Sequence, residues 1–475
     1  MYHSDVMGTF REKDAKLTYD PEVNGGTLTV QGDDWAESIS NRNVAIVVTH
    51  STGVDAAEGS QKILFVSDQS EPTSDGTSAD YKLEAIEATN LPQSFVDANL
   101  NSPRITRLAK PKAERPAHNF YVVISTRSGT GKAQHYFDDV IKPAFAAIGI
   151  QEFAYYVHTT YSDKSVSDFA SAVLLPRANE GAAQTVLLLS GDGGIVDLVN
   201  AALSARRSDK YIKPSIGLIA MGTGNAFANS TGLNRDATRG LRHFLRGDGH
   251  SIPTFTAIFS RGSEFLVDEG RQTEALPSSN GILGTVYGAV VCSWALHASL
   301  VADSDTTELR KFGSQRFQMA AKDLLAPSDG SPSHPYKGQI TLFTKDDQGK
   351  EVQKALDRPD HMYILATMVS NLEEKLTISP ESKPLDGQLR LLHFGSISSA
   401  EVMRILGLAF QGGQHVKDEV VRYDDIEGMR IKFDEEDGRW RRVCVDGKII
   451  QVGKGGWVEV RKNKNADVLD IVVDL

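Results

Sequence analysis

The sequence predicts an α/β domain followed by a β-rich domain, with a small β-rich extension at the N-terminus. Three observations carry this. From residue 119, apolar runs of strand length (Phe120 to Ile124, Phe153 to Val157, Thr185 to Leu189, Ser215 to Ala220) alternate with segments of helix length. That is the pattern of parallel strands buried on both faces. Three glycine-rich turns in this stretch each follow a predicted strand and open a predicted helix. Beyond residue 252 the alternation stops, and strand-like runs are punctuated by Asp-Gly pairs at 386–387, 437–438 and 446–447.

The extension, residues 1–115, shows short β-like runs at Thr27 to Val30, Val44 to Val48 and Ile63 to Val66, compatible with a small pleckstrin-like module. It ends in Arg104 to Ala117, rich in Arg, Lys and Pro, which reads as a boundary linker or as a local basic patch for lipid headgroups. The α/β domain spans 116–252 and the β-rich domain 253–475. In the latter, Val286 to Ala302 is apolar but interrupted by Gly288, Ser293 and His297, and reads as buried sheet rather than a membrane helix. One amphipathic helix is expected over Ala400 to Phe410, capped by Ser398 or Ser399 and ended by Gly412.

A chain of 475 residues divides into two or three domains. The net charge of −11 argues against a nucleic-acid binder and leaves membrane contact to local patches. Cys292 and Cys444 are the only cysteines and make neither a disulfide framework nor a zinc pattern. The segment MYHSDVMGTF does not read as a secretory signal, so a cytoplasmic protein is expected, any membrane contact being peripheral and through a local patch. Nothing in the sequence fixes an oligomeric state.

The chemistry lies in the turns. Such loops bring backbone N–H groups and a helix N-terminus toward negative charge. The first, Ser125-Thr126-Arg127-Ser128-Gly129-Thr130-Gly131-Lys132, approximates a P-loop without its spacing. The second, Ser190-Gly191-Asp192-Gly193-Gly194, sets a carboxylate at a strand's C-terminal end, suited to take a proton from a hydroxyl or to hold Mg2+ through water. The third, Met221-Gly222-Thr223-Gly224-Asn225, offers hydrogen-bonding side chains, with Asn225 placed to cap the next helix.

SGDGG with Asp197 and Val199-Asn200, MGTGNAFA at 221–228 and STRSGTGKA at 125–133 together resemble the diacylglycerol kinase catalytic domain family. Ser293-Trp294, Ala302-Asp303-Ser304-Asp305 and Gly313 to Phe317 resemble the substrate segment of sphingosine (long-chain base) kinases. The resemblance runs from about Asn119 to the C-terminus. It implies an α/β nucleotide-binding domain like those of NAD kinase and phosphofructokinase, then a β-sandwich lipid-binding domain, with ATP between them. The implied reaction moves the ATP γ-phosphate to a lipid hydroxyl, with Asp192 as base and Mg2+ contact. The implied nucleotide contacts are Ser125, Arg127, Ser128, Gly129, Gly131, Lys132, Thr159, Ser190, Gly191, Gly193, Gly222, Thr223, Gly224, Asn225, Arg310, Arg316, Asp446 and Gly447. Asp303 or Asp305 would bind the cationic amine of a sphingoid base. Diacylglycerol kinase activity and a catalytically weak lipid-binding scaffold are the alternatives. Gly194, Asp197 and Lys448 depart from the family pattern, standing where Thr, Glu and Glu are usual.

Overall fold

The computed structural model describes residues 6–23, 25–49, 60–68, 81–110, 114, 118–278, 283–313, 315–464 and 467–475. The N-terminal strands are β1 (Val6–Phe10), β2 (Lys13–Asp20), β3 (Thr27–Gln31), β4 (Ala36–Ser40), β5 (Val44–Thr49), β6 (Ser60–Asp68) and β7 (Tyr81–Thr89), paired in the order β4-β3-β2-β1-β7-β6-β5. Phe10, Leu17, Val30 and Phe65 close on Phe95 of helix α1 (Gln93–Asp97). Ala45, Ile46, Leu64 and Val66 instead join Ile105 and Leu108 of α2 (Pro103–Ala109) in a core shared with the next domain.

The expected basic linker is therefore helical at its start. Arg104 lies with its guanidinium 4.6 Å from the Phe244 ring centroid and donates to the Phe244 carbonyl. Burial lowers its pKa to about 10, and a guanidinium so enclosed against Phe244 is not presented to a headgroup. Lys112 and Arg115 lie outside the described residues.

The second domain is built on β8 (His118–Ile124), β9 (Tyr156–Thr159), β10 (Ala183–Ser190), β11 (Ser215–Ala220) and β12 (Asp248–Ser251). Its sheet also takes in a strand from the far end of the chain, β28 (Asp470–Val473), giving the order β12-β28-β11-β10-β8-β9. All neighbours are parallel except β12 with β28. The helices are α3 (Ala133–Tyr136), α4 (Lys142–Ala147), α5 (Ser165–Phe169), α6 (Leu175–Asn179), α7 (Asp192–Ser204), α8 (Ala226–Thr231) and α9 (Leu241–Arg246). Phe120, Val122, Leu187 and Ile219 face α3, α4 and α9. Tyr121, Val123, Leu188 and Leu218 face α5, α6 and α7. Alternate residues thus bury on opposite faces, which is why these strands read as unbroken apolar runs. The expectation of one β-rich domain over 253–475 is corrected at its end, because Asp470–Val473 pairs within the α/β sheet.

The third domain has two sheets. One runs β16 (Gly284–Gly288), β13 (Phe255–Phe259), β27 (Trp457–Lys462), β24 (Gly428–Phe433), β18 (Tyr336–Lys345), β19 (Glu351–Ala355), with β20 (Asp360–His361) beside β18. The other runs β15 (Gln272–Ala275), β14 (Glu264–Val267), β26 (Lys448–Gln451), β25 (Arg442–Val445), β17 (Val291–Ala295), β21 (Tyr363–Thr367), β22 (Leu389–Phe394), β23 (Arg422–Ile426). Phe255, Phe259, Ile340 and Ile431 of the first meet Trp294, Ile364, Leu391 and Val443 of the second in one core.

The segment expected as buried sheet is sheet only through Ala295. There the backbone turns through φ +65° into α10 (Leu296–Ser304), followed by α11 (Thr307–Arg310) and α12 (Gln315–Leu325). The amphipathic helix is α13 (Ser399–Ala409), and the Ser398 hydroxyl accepts from Glu401 N–H at 3.3 Å. Its Val402, Ile405 and Ala409 are buried while Met403 and Phe410 remain half exposed. Among the described residues no helix is long and apolar enough to cross a membrane.

Candidate active site

The three glycine turns meet at the C-terminal ends of β8, β10 and β11, one consequence of parallel order. Ser128 Oγ lies 3.3 Å from Ser190 Oγ and accepts from Gly191 N–H at 3.3 Å. The second and third turns touch backbone to backbone: a Cβ on Gly222 would sit 2.6 Å from the Gly191 Cα. Glycine is required there by the protein's own packing. At Gly193, by contrast, a Cβ would meet no protein atom within 4 Å, and the residue faces a cavity of about 1770 Å³.

Asp192 opens α7 and reaches across to the third turn. Its two carboxylate oxygens accept from Ala226 N–H at 2.7 Å and Phe227 N–H at 3.0 Å, the first turn of α8. The expected cap, Asn225, holds the N-cap position in a left-handed conformation, but its side chain folds back on Gly222, with bonds of 2.8 and 2.7 Å. Asp192 therefore caps α8 from another element. Desolvation raises its pKa, opposed by those two N–H groups. Each oxygen keeps a further lone pair, and the residue stays on the cavity wall.

A second Asp-Gly turn repeats the arrangement from the third domain. Asp446 accepts from the N–H groups of Ala289, Val290 and Val291 at 2.6, 3.1 and 2.6 Å. Burial pushes its pKa up to about 7, the N–H groups lower it, and Asp192 adds a small upward push. Its carboxylate is thus committed to backbone. One residue past Gly447, Lys448 Nζ lies 2.7 Å from Asp197 Oδ1, so two departures from the family pattern, on β26 and α7, pair with each other across the cavity. Asn200, also on α7, clasps β16 through both the N–H and the carbonyl of Tyr287 at 3.0 and 2.7 Å.

The charged segment after α10 is internally paired. Arg310 grips Asp305 with two bonds of 2.9 Å, and Arg316 reaches the same carboxylate at 3.3 Å. All three line the cavity. Asp303 does not. It is held by Arg442 at 2.7 Å and Arg439 at 3.1 Å, and acts as an ion-pair anchor between α10 and the strand β25. Apolar wall comes from Leu300 and Val301 of α10, Phe317 of α12 and Met403, Leu406 and Phe410 on and beside α13.

Of the residues expected to contact nucleotide, Ser125, Ser128, Ser190, Gly191, Gly193, Gly224, Arg310, Arg316, Asp446 and Gly447 line this cavity, with Asp192. Arg127, Gly129, Gly131, Lys132, Thr159, Gly222, Thr223 and Asn225 are not on its wall. Arg127 and Thr159 are exposed, and the residue that meets the first turn is the buried Thr160, which bonds Thr126 at 2.9 and 3.3 Å. A one-residue shift along a strand end reverses the side chain's direction. Sequence reasoning missed Thr160 and also His297, which lines the cavity and whose Nδ1 is 2.7 Å from the buried Ser293 hydroxyl.

Residues 119–257 match the family model of the diacylglycerol kinase catalytic domain. Over 413 residues the chain is 21% identical to Sphingosine kinase 1 of Arabidopsis thaliana, covering 78% of this chain and 75% of that protein. A diacylglycerol kinase structure from Bacillus anthracis str. Sterne is 11% identical, covers 75% of this chain and 97% of its own, and superposes with a TM-score of 0.44. For yeast NADH kinase complexed with NADH the figures are 8%, 75%, 84% and 0.32. Residues 119–257 thus match the diacylglycerol kinase catalytic domain, and over most of its length the chain is similar to a sphingosine kinase.

Proposed function

We propose that this protein is a lipid kinase that transfers the γ-phosphate of ATP to a hydroxyl of a sphingoid long-chain base. The observation that carries the reading is the two-sided cavity. Three glycine turns with a carboxylate form one wall, and apolar helices with an Asp–Arg cluster form another. Glycine turns that open helices suit phosphates. The apolar wall suits an alkyl chain, and a carboxylate such as Asp305 suits an amine that diacylglycerol lacks.

In the proposed reaction the lipid hydroxyl oxygen bonds to the γ-phosphorus, the bond to the β-phosphate oxygen breaks, and the hydroxyl proton passes to Asp192. The raised pKa of Asp192 favours accepting it. Arg310 and Arg316 are placed to neutralise phosphate oxygens. Among the described residues no cluster of three or more His, Cys, Asp and Glu is arranged to hold a metal alone. Asp192 fits an ion held mainly by phosphate and water, and such an ion, when bound, would supply charge neutralisation at the β- and γ-oxygens. The half-exposed Met403 and Phe410 at the cavity support peripheral membrane contact.

The test is transfer of labelled γ-phosphate from Mg-ATP to sphingosine, phytosphingosine, diacylglycerol and ceramide in parallel. Product on the sphingoid bases alone is expected. Product on diacylglycerol would keep the kinase and remove the specificity. ATP binding with no product on any lipid would point to a scaffold.

A further inference from the structure

Asp305 is the carboxylate suited to a substrate amine, yet both its oxygens are already engaged. Arg310 holds it with two bonds of 2.9 Å and Arg316 adds a third at 3.3 Å. The two guanidiniums are the groups suited to the nucleotide's phosphates, so one cluster contains both recognition elements, each occupying the other. Arg316 is under-satisfied in this arrangement, since its Nε is buried with no partner among the described residues. The field around the cluster is acidic: Glu269 acts on Arg310, and Glu373 acts on Arg316, and both glutamates line the cavity.

Resting on the reading above, we propose that the nucleotide unmasks the amine site: phosphates draw Arg310 and Arg316 off Asp305, and only then does Asp305 bind a cationic lipid. A triphosphate carries several negative charges with forked oxygens and outcompetes one carboxylate for two guanidiniums. Withdrawal of the two guanidiniums leaves the Asp305 carboxylate without its cations, and a monocation then binds. Because coupling is reciprocal, the base tightens nucleotide binding by the same factor. Nucleotide-first order and selection for an amine follow from one rearrangement.

Calorimetric titration of the full chain with a short-chain sphingoid base, with and without a saturating non-hydrolysable Mg-ATP analogue, tests this. The base is expected to tighten on the order of tenfold with the analogue, while its N-acetylated counterpart, which lacks the charge, gains nothing. Asp305→Asn should abolish the coupling and bind the analogue more tightly by itself, its arginines being free. Arg310→Gln should bind the base more tightly in the analogue's absence and show a smaller gain when it is added. Equal affinity for the base with and without analogue, an equal gain for the N-acetylated compound, or undiminished coupling in Asp305→Asn would overturn the proposal alone, provided both ligands bind. If neither ligand binds, the kinase reading falls and takes the proposal with it.

Discussion

The two walls of the cavity solve opposite problems. The glycine-turn wall is held by close backbone approach and by short side chains that bond one another and backbone N–H groups: Ser128 to Ser190 and Gly191, Gly191 against Gly222, and Asp192 onto the N–H groups of α8. The wall after α10 is held by side-chain charge, with Asp305, Arg310 and Arg316 satisfying one another. The first is satisfied by bonds within the fold itself. The second must exchange partners to receive a ligand. Substitutions in the first wall should therefore damage turnover and stability together, whereas those in the charged wall should shift binding while leaving the fold in place.

The largest expected effect is Asp192→Asn. Loss of a general base costs about 10²- to 10⁴-fold in single-turnover transfer, and the weakened cap on α8 should cost about 0.5–2 kcal/mol by denaturant unfolding. Near-normal turnover with the stability loss alone would make Asp192 only a clasp. Next is Gly191→Ala, whose Cβ would lie 2.9 Å from the Gly222 Cα. Forcing the turns apart should cost about 1–3 kcal/mol of stability and at least roughly tenfold in the KM for ATP. Unchanged values would show the contact to be soft.

A third experiment uses pH. The Asp446 carboxyl sits at about 7 in the folded chain, above its unfolded value near 3.8. Its contribution to stability is fully present below the unfolded value and is lost as pH rises through 7. Unfolding followed between pH 4 and 8 should show this loss, and Asp446→Asn should flatten it, at about 1–2 kcal/mol of overall cost for a weakened buried bond set. The smallest effect belongs to Asp197–Lys448, a pair with exposures of 14% and 40%. Lys448→Ala should cost about 0.2–1 kcal/mol, and exchanging the two residues should restore most of it. No recovery in the exchanged variant would mean that Lys448 acts through something other than Asp197.

The glycine turns were legible because glycine after an apolar run announces a strand-to-helix turn, and parallel order brings such turns to one edge. The cap at Ser398 was legible because capping is local. Partnerships between distant segments were not. Asn225 is the right residue type at the right position, yet Asp192 does the capping, because Gly222 lies close enough to engage the Asn225 side chain first. Asp303 and Asp305 look alike in sequence, but two residues along a helix end separate an anchor beside Arg442 from a carboxylate in the cavity. Lys448 reverses the charge of the Glu usual at its position, its partner Asp197 lies 251 residues away, and only the fold joins two departures on different domains.

The strand Asp470–Val473 has a consequence for how the chain is made. It occupies an interior place in the α/β sheet, between β11 and β12, although the whole third domain is synthesised before it. On a ribosome, β11 must wait with an open edge while that domain emerges and folds. The α/β wall of the cavity is thus completed after the wall that the third domain contributes. During that interval the open edge is the place where a chaperone would act or where two nascent chains would pair wrongly.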